Sequence, residues 1–572
     1  MEDYRKIYDL WLTAPEVDED TKKELETLSE KEIEDRFYRE LEFGTAGMRG
    51  VLGAGTNRLN IYNIRRASQG VAEYVKSSNQ TEKGVLIGYD TRNCSRLFAE
   101  ETARVLTANG IKVYLFDKVH SVPEVSFGIR TLGCGAGVMI TASHNPKEYN
   151  GYKVYGNDGG QMPPDAADIV IKAIDKTDIF KGVKLITLEE AEKNGLLEIV
   201  GKDLDEQFLK TIQKEQLNPD AITAVSDTFK LIYTPFHGTG SRPIKEILKR
   251  IGFKNVIVVK EQDTEDGDFP TVKSPNPEDK EGFALAIEMA EKENVDLIIG
   301  TDPDCDRVGV VVRDASGTYR VLTGNQTGAL LLEYILSSKK ANGTLPDNGI
   351  VIKTIVTTEL SAAIAEEYGV KMINVLTGFK YIGEKMTEYE KTGAYQYLYG
   401  FEESYGCLIG THARDKDGVS ATMMIAEMAA YYYSTKKQSL FEALQSLYEK
   451  YGYYTEKTVS FTMLGKDGME KMAALLSTLR TSPIQSVCGL DIIHTTDYLS
   501  QTSDDENVSF DGLPKSDVLK YNLSDNKSYF LIRPSGTEPK IKFYIGTVGT
   551  SSAEADSMTE KILSDLKEKL GL

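Results

Sequence analysis

The chain carries a hydroxyl where a strand runs out. In Val138-Met139-Ile140-Thr141-Ala142-Ser143-His144-Asn145-Pro146 a short apolar run ends on Ser143, and Asn145-Pro146 favours a turn, because proline fixes its own φ and pushes the residue before it out of the helical region. Open α/β sheets place their ligands at such strand ends, so Ser143 is a candidate nucleophile and His144 a candidate base. The motif alone also fits an ordinary turn, since adjacent side chains seldom meet as nucleophile and base. A second group is denser: Val295-Asp296-Leu297-Ile298-Ile299-Gly300-Thr301-Asp302-Pro303-Asp304-Cys305-Asp306-Arg307-Val308-Gly309-Val310-Val311-Val312 sets Asp302, Asp304 and Asp306 between two strands of buried type. Three carboxylates so close raise one another's pKa unless a cation neutralises them, and hard oxygen donors suit Mg²⁺. An EF-hand does not fit, because Arg307 stands at its glycine position and Arg313 at its twelfth.

Two further segments supply polar partners. Leu398-Tyr399-Gly400-Phe401-Glu402-Glu403-Ser404-Tyr405-Gly406 offers a carboxylate and a hydroxyl that can bind neighbouring sugar hydroxyls, and Thr411-His412-Ala413-Arg414-Asp415-Lys416-Asp417-Gly418 offers a lysine for proton transfer or phosphate contact. Arg533-Pro534-Ser535-Gly536-Thr537-Glu538-Pro539-Lys540 joins an arginine fork, two hydroxyls and a glycine, the components of a phosphate cradle and equally of a hairpin turn. Phe43-Gly44-Thr45-Ala46-Gly47-Met48-Arg49-Gly50 reads as a glycine-dense loop that either turns the chain or faces an anion. No Walker A motif competes, since Glu384 occupies the lysine position after Gly378 to Gly383.

The elements that must position these groups repeat. A strand, an amphipathic helix stopped by glycine and a second strand occur at 84–117, at 229–259 and at 349–375, with Gly110, Gly252 and Gly369 closing the helices. The spacing of whole domains indicates three copies of one α/β fold. The expected divisions are 1–205, with two N-terminal helices before the serine domain; 206–322, with the carboxylate loop; 323–450, with the Glu402 segment; and 451–572. In the last, strands over 454–462, 528–533 and 540–545 and a final helix with Met558, Ile562, Leu563, Leu566 and Leu570 in register predict an α+β module, and 503–523 reads as an exposed loop.

Composition narrows the partners. The 572 residues, 41% hydrophobic and 27% charged, fit a multidomain globular chain. A net charge of −20 argues against nucleic acid or an anionic membrane as a main partner, and demands that any phosphate site be a local basic island. Five scattered cysteines without a C-x-x-C fit a reducing compartment, and the charged N-terminus is unlike a signal peptide. The cytoplasm is the expected location.

Taken in order, the Thr141 to Pro146, Thr301 to Arg307, Gly400 to Ser404 and Arg533 to Thr537 segments resemble the phosphoserine, metal, sugar and phosphate loops of the α-D-phosphohexomutase family, in its phosphoglucomutase branch. The resemblance runs from about Phe43 to the C-terminus and implies four domains around a central cleft, the first three sharing an α/β fold. It implies Ser143 as phosphoryl carrier, Asp302, Asp304, Asp306 and Ser143 as ligands of one Mg²⁺ per chain, and Arg307, Lys153 and Arg49 around the moving group. Glu402 and Ser404 would contact the sugar, although Phe401 departs from the family's plain Gly-Glu-Glu-Ser; Thr377, Gly378, Phe379 and Lys380 would help recognise it. Lys416 resembles the proton-transfer lysine, with His144 a lesser candidate. Arg533, Ser535, Gly536 and Thr537 would hold the non-reacting phosphate. The implied reaction interconverts glucose 1-phosphate and glucose 6-phosphate through glucose 1,6-bisphosphate. Phosphopentomutase or phosphomannomutase activity, or a metal-dependent sugar phosphatase, are the alternatives.

Overall fold

The computed structural model describes residues 4–44, 47–462, 465–534 and 540–571. Two compact units divide the chain, Met1–Gly324 with Phe379–Leu440, and Asn325–Gly378 with Phe441–Leu572.

In the first unit, strands Val85–Tyr89, Val113–Phe116, Ala136–Ile140 and Leu197–Val200 form a parallel core. Alternate strand residues face opposite sides. Val85 and Ile87 therefore pack with Phe98, Ala103 and Leu106 of helix Ser95–Ala108 and with Val71 and Val75 of helix Ile61–Ser77, while Leu86 packs with Val125 and Ile129 of helix Val122–Leu132 on the other face. Gly110, at φ 76°, lets the chain leave the first of these helices in the left-handed conformation. Strands Tyr149–Tyr155 and Gly47–Val51 extend this sheet antiparallel. The glycine-dense segment expected to be a loop is thus a hairpin, Phe43–Gly44 against Gly47–Val51, and Arg49 stands on its second strand.

The N-terminal helices, a collar packed on the serine domain, differ from expectation as well. The second helix breaks into Glu19–Glu26 and Glu30–Phe37, because Ser29 and Glu32 form a reciprocal capping box that starts a new helix. Trp11, Phe37, Tyr62 and Phe180 pack edge to face beneath it.

The second copy orders its strands Tyr319–Val321, Val308–Arg313, Leu297–Thr301, Lys230–Thr234 and Asn255–Val258. Leu297–Thr301 and Val308–Arg313 pair antiparallel with Thr301 opposite Val308, so the loop between them is pinned at both ends. The third copy supplies the parallel pair Gly349–Thr354 and Lys371–Val375 to the second unit, and the antiparallel pair Gln396–Phe401 and Cys407–Ile409 to the first.

The C-terminal module is an antiparallel sheet in the order Tyr453–Thr462, Lys540–Gly549, Tyr529–Pro534, Leu519–Leu523, Leu490–Asp497 and Ser486–Val487. Ile562, Leu563 and Leu566 of helix Ser552–Leu570 and Leu476 and Leu479 of helix Gly465–Thr481 cover it. Here the expected exposed loop ends early: Leu519, Tyr521 and Leu523 alternate into the core, which makes 519–523 an interior strand. Three α/β domains followed by this module are the architecture. Among the described residues no helix is long and apolar enough to cross a membrane.

Candidate active site

Ser143 follows strand Ala136–Ile140 and holds φ at 53°, a conformation that costs a non-glycine residue about 1–2 kcal/mol. Two side chains enforce it. Thr141 Oγ1 accepts from the Ser143 backbone N–H at 2.8 Å and donates to Asp304 Oδ2 at 3.1 Å. Arg92, fully buried beside Asp90, donates to the carbonyls of Ser143, Asn145, Pro146 and Tyr149, four acceptors of one loop. The left-handed turn brings together what sequence adjacency normally keeps apart: Ser143 Oγ lies 3.2 Å from His144 Nδ1 while donating to Asp302 Oδ2 at 2.9 Å. Burial, with Arg307 and Arg49 nearby, holds the imidazole far below its usual pKa, so it is neutral.

The carboxylate loop folds over itself. Asp302 Oδ1 accepts the backbone N–H groups of Asp306 and Arg307 at 3.1 and 3.0 Å, and the carbonyl of Asp304 accepts from Val122 N at 2.9 Å. Carboxylate oxygens of Asp302, Asp304 and Asp306 lie within 4.8 Å of one another, all buried. Burial and the two neighbouring carboxylates push the Asp302 carboxyl far above its ordinary range. Asp304 Oδ1 and Asp306 Oδ1 have no hydrogen-bond partner among the described residues. Buried carboxylate oxygens left unpaired are costly, and a hard divalent cation is the group whose chemistry matches them.

Basic side chains close in on this loop. Lys153 Nζ is 2.9 Å from Asp304 Oδ2 and 3.4 Å from Asp306 Oδ2; Lys416 Nζ is 3.0 Å from Asp306 Oδ2. Burial works against their charge, yet the carboxylates outweigh it and raise both lysines above the usual range. Arg307 pairs with Glu278 at 3.0 Å, and Arg49 donates to Asn145 Oδ1 at 2.9 Å. The Glu402 loop adjoins through a bridge between Arg307 and Gly406 and through Val308 N on the Tyr405 carbonyl. Burial pushes the Glu402 carboxyl up to about 7 against the pull of Lys416, and Ser404 is half-buried in the same turn.

Ser143, His144, Asp302, Asp304, Asp306, Lys153, Arg307, Arg49, Lys416 and Glu402 thus meet in the first unit. Lys380 is in that unit too, its ammonium 4.9 Å from the Tyr381 ring. Thr377, Gly378 and Arg533 belong to the second unit, Arg533 paired across strands with Lys542. Ser535, Gly536 and Thr537 lie outside the described residues. Sequence reasoning did not pick out Thr141, Arg92, Glu278 or Asp415 as site residues. Asp90-Thr91-Arg92 at the end of a strand was the available signal for one of them.

The patterns of phosphoglucomutase/phosphomannomutase alpha/beta/alpha domains I, II and III match residues 40–180, 206–317 and 323–451 in turn. The chain belongs to this family. A phosphoglucomutase of Staphylococcus haemolyticus is 37% identical over 516 residues, covering 90% of this chain and 91% of that protein. A phosphoglucomutase of Staphylococcus saprophyticus is 35% identical over 527 residues, covering 91% of this chain and 92% of that protein. Among solved structures, the open form of the Paramecium phosphoprotein pp63/parafusin superposes with a TM-score of 0.69 at 18% identity, covering 93% of this chain and 95% of that one. That likeness is one of fold. Family membership agrees with the three repeated α/β domains and makes the Asp302, Asp304 and Asp306 cluster a candidate divalent-metal centre of a phosphosugar mutase family.

Proposed function

We propose that the protein is a phosphoglucomutase, an isomerase that interconverts glucose 1-phosphate and glucose 6-phosphate through a phosphoserine at Ser143 and a glucose 1,6-bisphosphate intermediate. The observation that carries this reading is the buried Ser143 hydroxyl donating to Asp302, in a carboxylate cluster whose Asp304 pairs with Lys153 and whose Asp306 pairs with Lys416. A phosphorylated serine would bring a charge of about −1.5 to −2, and these cations are what such a group requires.

Phosphoryl transfer depends chiefly on positioning and charge neutralisation. In the first half-reaction the bond between Ser143 Oγ and phosphorus breaks as a sugar hydroxyl oxygen bonds to that phosphorus; the hydroxyl proton leaves to neutral His144 or to Lys416 in its amine form, and a proton returns to Ser143 Oγ. The second half-reaction reverses these events at the sugar's other phosphate and restores the phosphoserine. Mg²⁺, held by Asp302, Asp304, Asp306 and Ser143, would supply Lewis-acid stabilisation of the moving group. Lys153, Arg307 and Arg49 neutralise it from the protein side. Glu402 and Ser404, with Thr377, Gly378 and Lys380, are assigned to the sugar, and Arg533, Ser535, Gly536 and Thr537 to the phosphate that does not react.

Peptide mass spectrometry is expected to find phosphate on Ser143, and Ser143→Ala to lose mutase turnover; wild-type turnover in that variant would refute the phosphoserine route. Chelation is expected to abolish activity and added Mg²⁺ to restore it, with calorimetry giving one site per chain. Comparing kcat/KM for glucose 1-phosphate, mannose 1-phosphate and ribose 1-phosphate tests the sugar, and a ribose or mannose preference would replace glucose in this proposal. Release of inorganic phosphate as fast as isomerisation would instead make the enzyme a phosphatase.

A further inference from the structure

Lys416 is held from two sides, and only one of them is the carboxylate loop. Its ammonium sits 3.0 Å from Asp306 Oδ2 and 3.1 Å from Asp415 Oδ1. Asp415 is buried at 1% exposure and is itself fastened: Oδ1 also accepts the Lys416 backbone N–H at 2.9 Å, and Oδ2 accepts from Tyr155 OH at 3.1 Å and from Gln161 Nε2 at 3.0 Å. Tyr155 and Gln161 face each other across an antiparallel bridge of the serine domain. Tyr155 is two residues beyond Lys153 on strand Tyr149–Tyr155. Residues i and i+2 of a strand share a face, so one strand face delivers Lys153 to Asp304 and Tyr155 to Asp415.

The lysine stem is guided as well. It crosses Gly406 of the Glu402 loop so closely that a Cβ built there would lie 2.0 Å from Lys416 Cδ. A free lysine side chain samples many rotamers, and a single ion pair to the metal loop would leave much of that freedom. Two carboxylates and a glycine track fix the ammonium at one point. An ammonium has three N–H donors; with two given to Asp306 and Asp415, one remains to meet an incoming oxygen.

We infer that Asp415, braced by Tyr155 and Gln161, is a positioning residue that acts through Lys416, and that Gly406 is the track on which the Lys416 stem runs. The inference rests on the role given to Lys416 in the proposed function. It differs from a purely structural role in one measurable way: its effect must vanish when Lys416 is absent.

The test is a set of three double-mutant cycles on the full chain loaded with Mg²⁺ and assayed with glucose 1-phosphate. Tyr155→Phe deletes one buried hydroxyl, Gly406→Ala drives a methyl group against the lysine stem and so must displace it, and Asp415→Asn removes the carboxylate charge that holds the ammonium. Each is expected to lower kcat, by about tenfold for Tyr155→Phe and Gly406→Ala and by about a hundredfold for Asp415→Asn, within the range a proton-transfer group contributes, with KM changed less than about threefold. In a Lys416→Ala chain the stem and ammonium are both gone, and the same substitutions are expected to lower kcat by less than about twofold further. Full additive losses in the Lys416→Ala background would overturn the inference while leaving Lys416's role intact. Wild-type kcat in Lys416→Ala itself would remove that role, and the inference with it. Should Asp415→Asn fail to fold, the Tyr155 and Gly406 cycles decide the question alone.

Discussion

At the scale of single residues, the candidate site depends on hydroxyls and carboxylates that serve several partners at once. Thr141 serves two partners at once, the Ser143 backbone N–H and Asp304 Oδ2. Thr141→Val keeps the side-chain shape but strips both. It leaves a buried N–H without an acceptor, which costs about 1–3 kcal/mol, and it frees Ser143 from its left-handed turn. The expected result is a fall in kcat of about tenfold or more, with a lower melting temperature; unchanged values in both would show that Arg92 alone sets the turn. Much of the site was legible at this scale. Ser143, the three aspartates and Lys416 stand in motifs whose residue types announce their chemistry, and Lys153 came from the family resemblance alone. Asp415 and Tyr155 were hidden because their meaning lies in a contact spanning 260 residues, and no local spacing encodes it.

At the scale of elements, strand ends and the loops between them carry the chemistry, and side chains from neighbouring elements hold those loops still. Arg92 is the clearest case, since one planar fork takes four backbone carbonyls. A lysine retains the charge without the fork. Arg92→Lys is therefore expected to reduce kcat by about a hundredfold, the scale of loss that misplacing a reacting group by an ångström brings, while circular dichroism reports the same secondary structure. The strands themselves were readable from buried runs and glycine stops, which is why the three α/β copies fall where the periodicity puts them. Besides the pairing of Phe43–Gly44 with Gly47–Val51, two elements were not. The collar helix breaks at Ser29 because a capping box outweighed a continuous charged pattern, and Leu519–Leu523 was obscured by the acidic stretch before it, although its alternation is plain once the sheet is seen.

At the scale of the whole molecule, a chain of net charge −20 builds a basic island for a phosphosugar and buries several acids to do so. In the second unit Glu456 is a further acid, half-buried. It accepts from Thr358 Oγ1, with Glu359, Lys353 and Lys520 grouped beside it, and burial pushes its pKa from 4.5 up to about 7. The folded chain then holds this proton more tightly than the unfolded chain does. Its contribution to stability is fully present below about pH 4.5 and is lost as pH rises through about 7. Thermal unfolding of Glu456→Gln is accordingly expected to fall less between pH 5 and pH 8 than that of the wild type; parallel curves would mean that Glu456 titrates normally.

The division of the first unit also bears on how the protein is made. Its sequence is interrupted, with 325–378 belonging to the other unit before Phe379–Leu440 returns to complete it. During synthesis the serine domain and the carboxylate loop leave the ribosome first, and Tyr155, Gln161 and Ser126 then wait for Asp415 and for the backbone of Arg414. A nascent chain stopped at Gly324 has neither Lys416 nor the residue that steadies it. The lysine assigned to proton transfer and the carboxylate that steadies it are consequently among the last parts of the first unit to be synthesised.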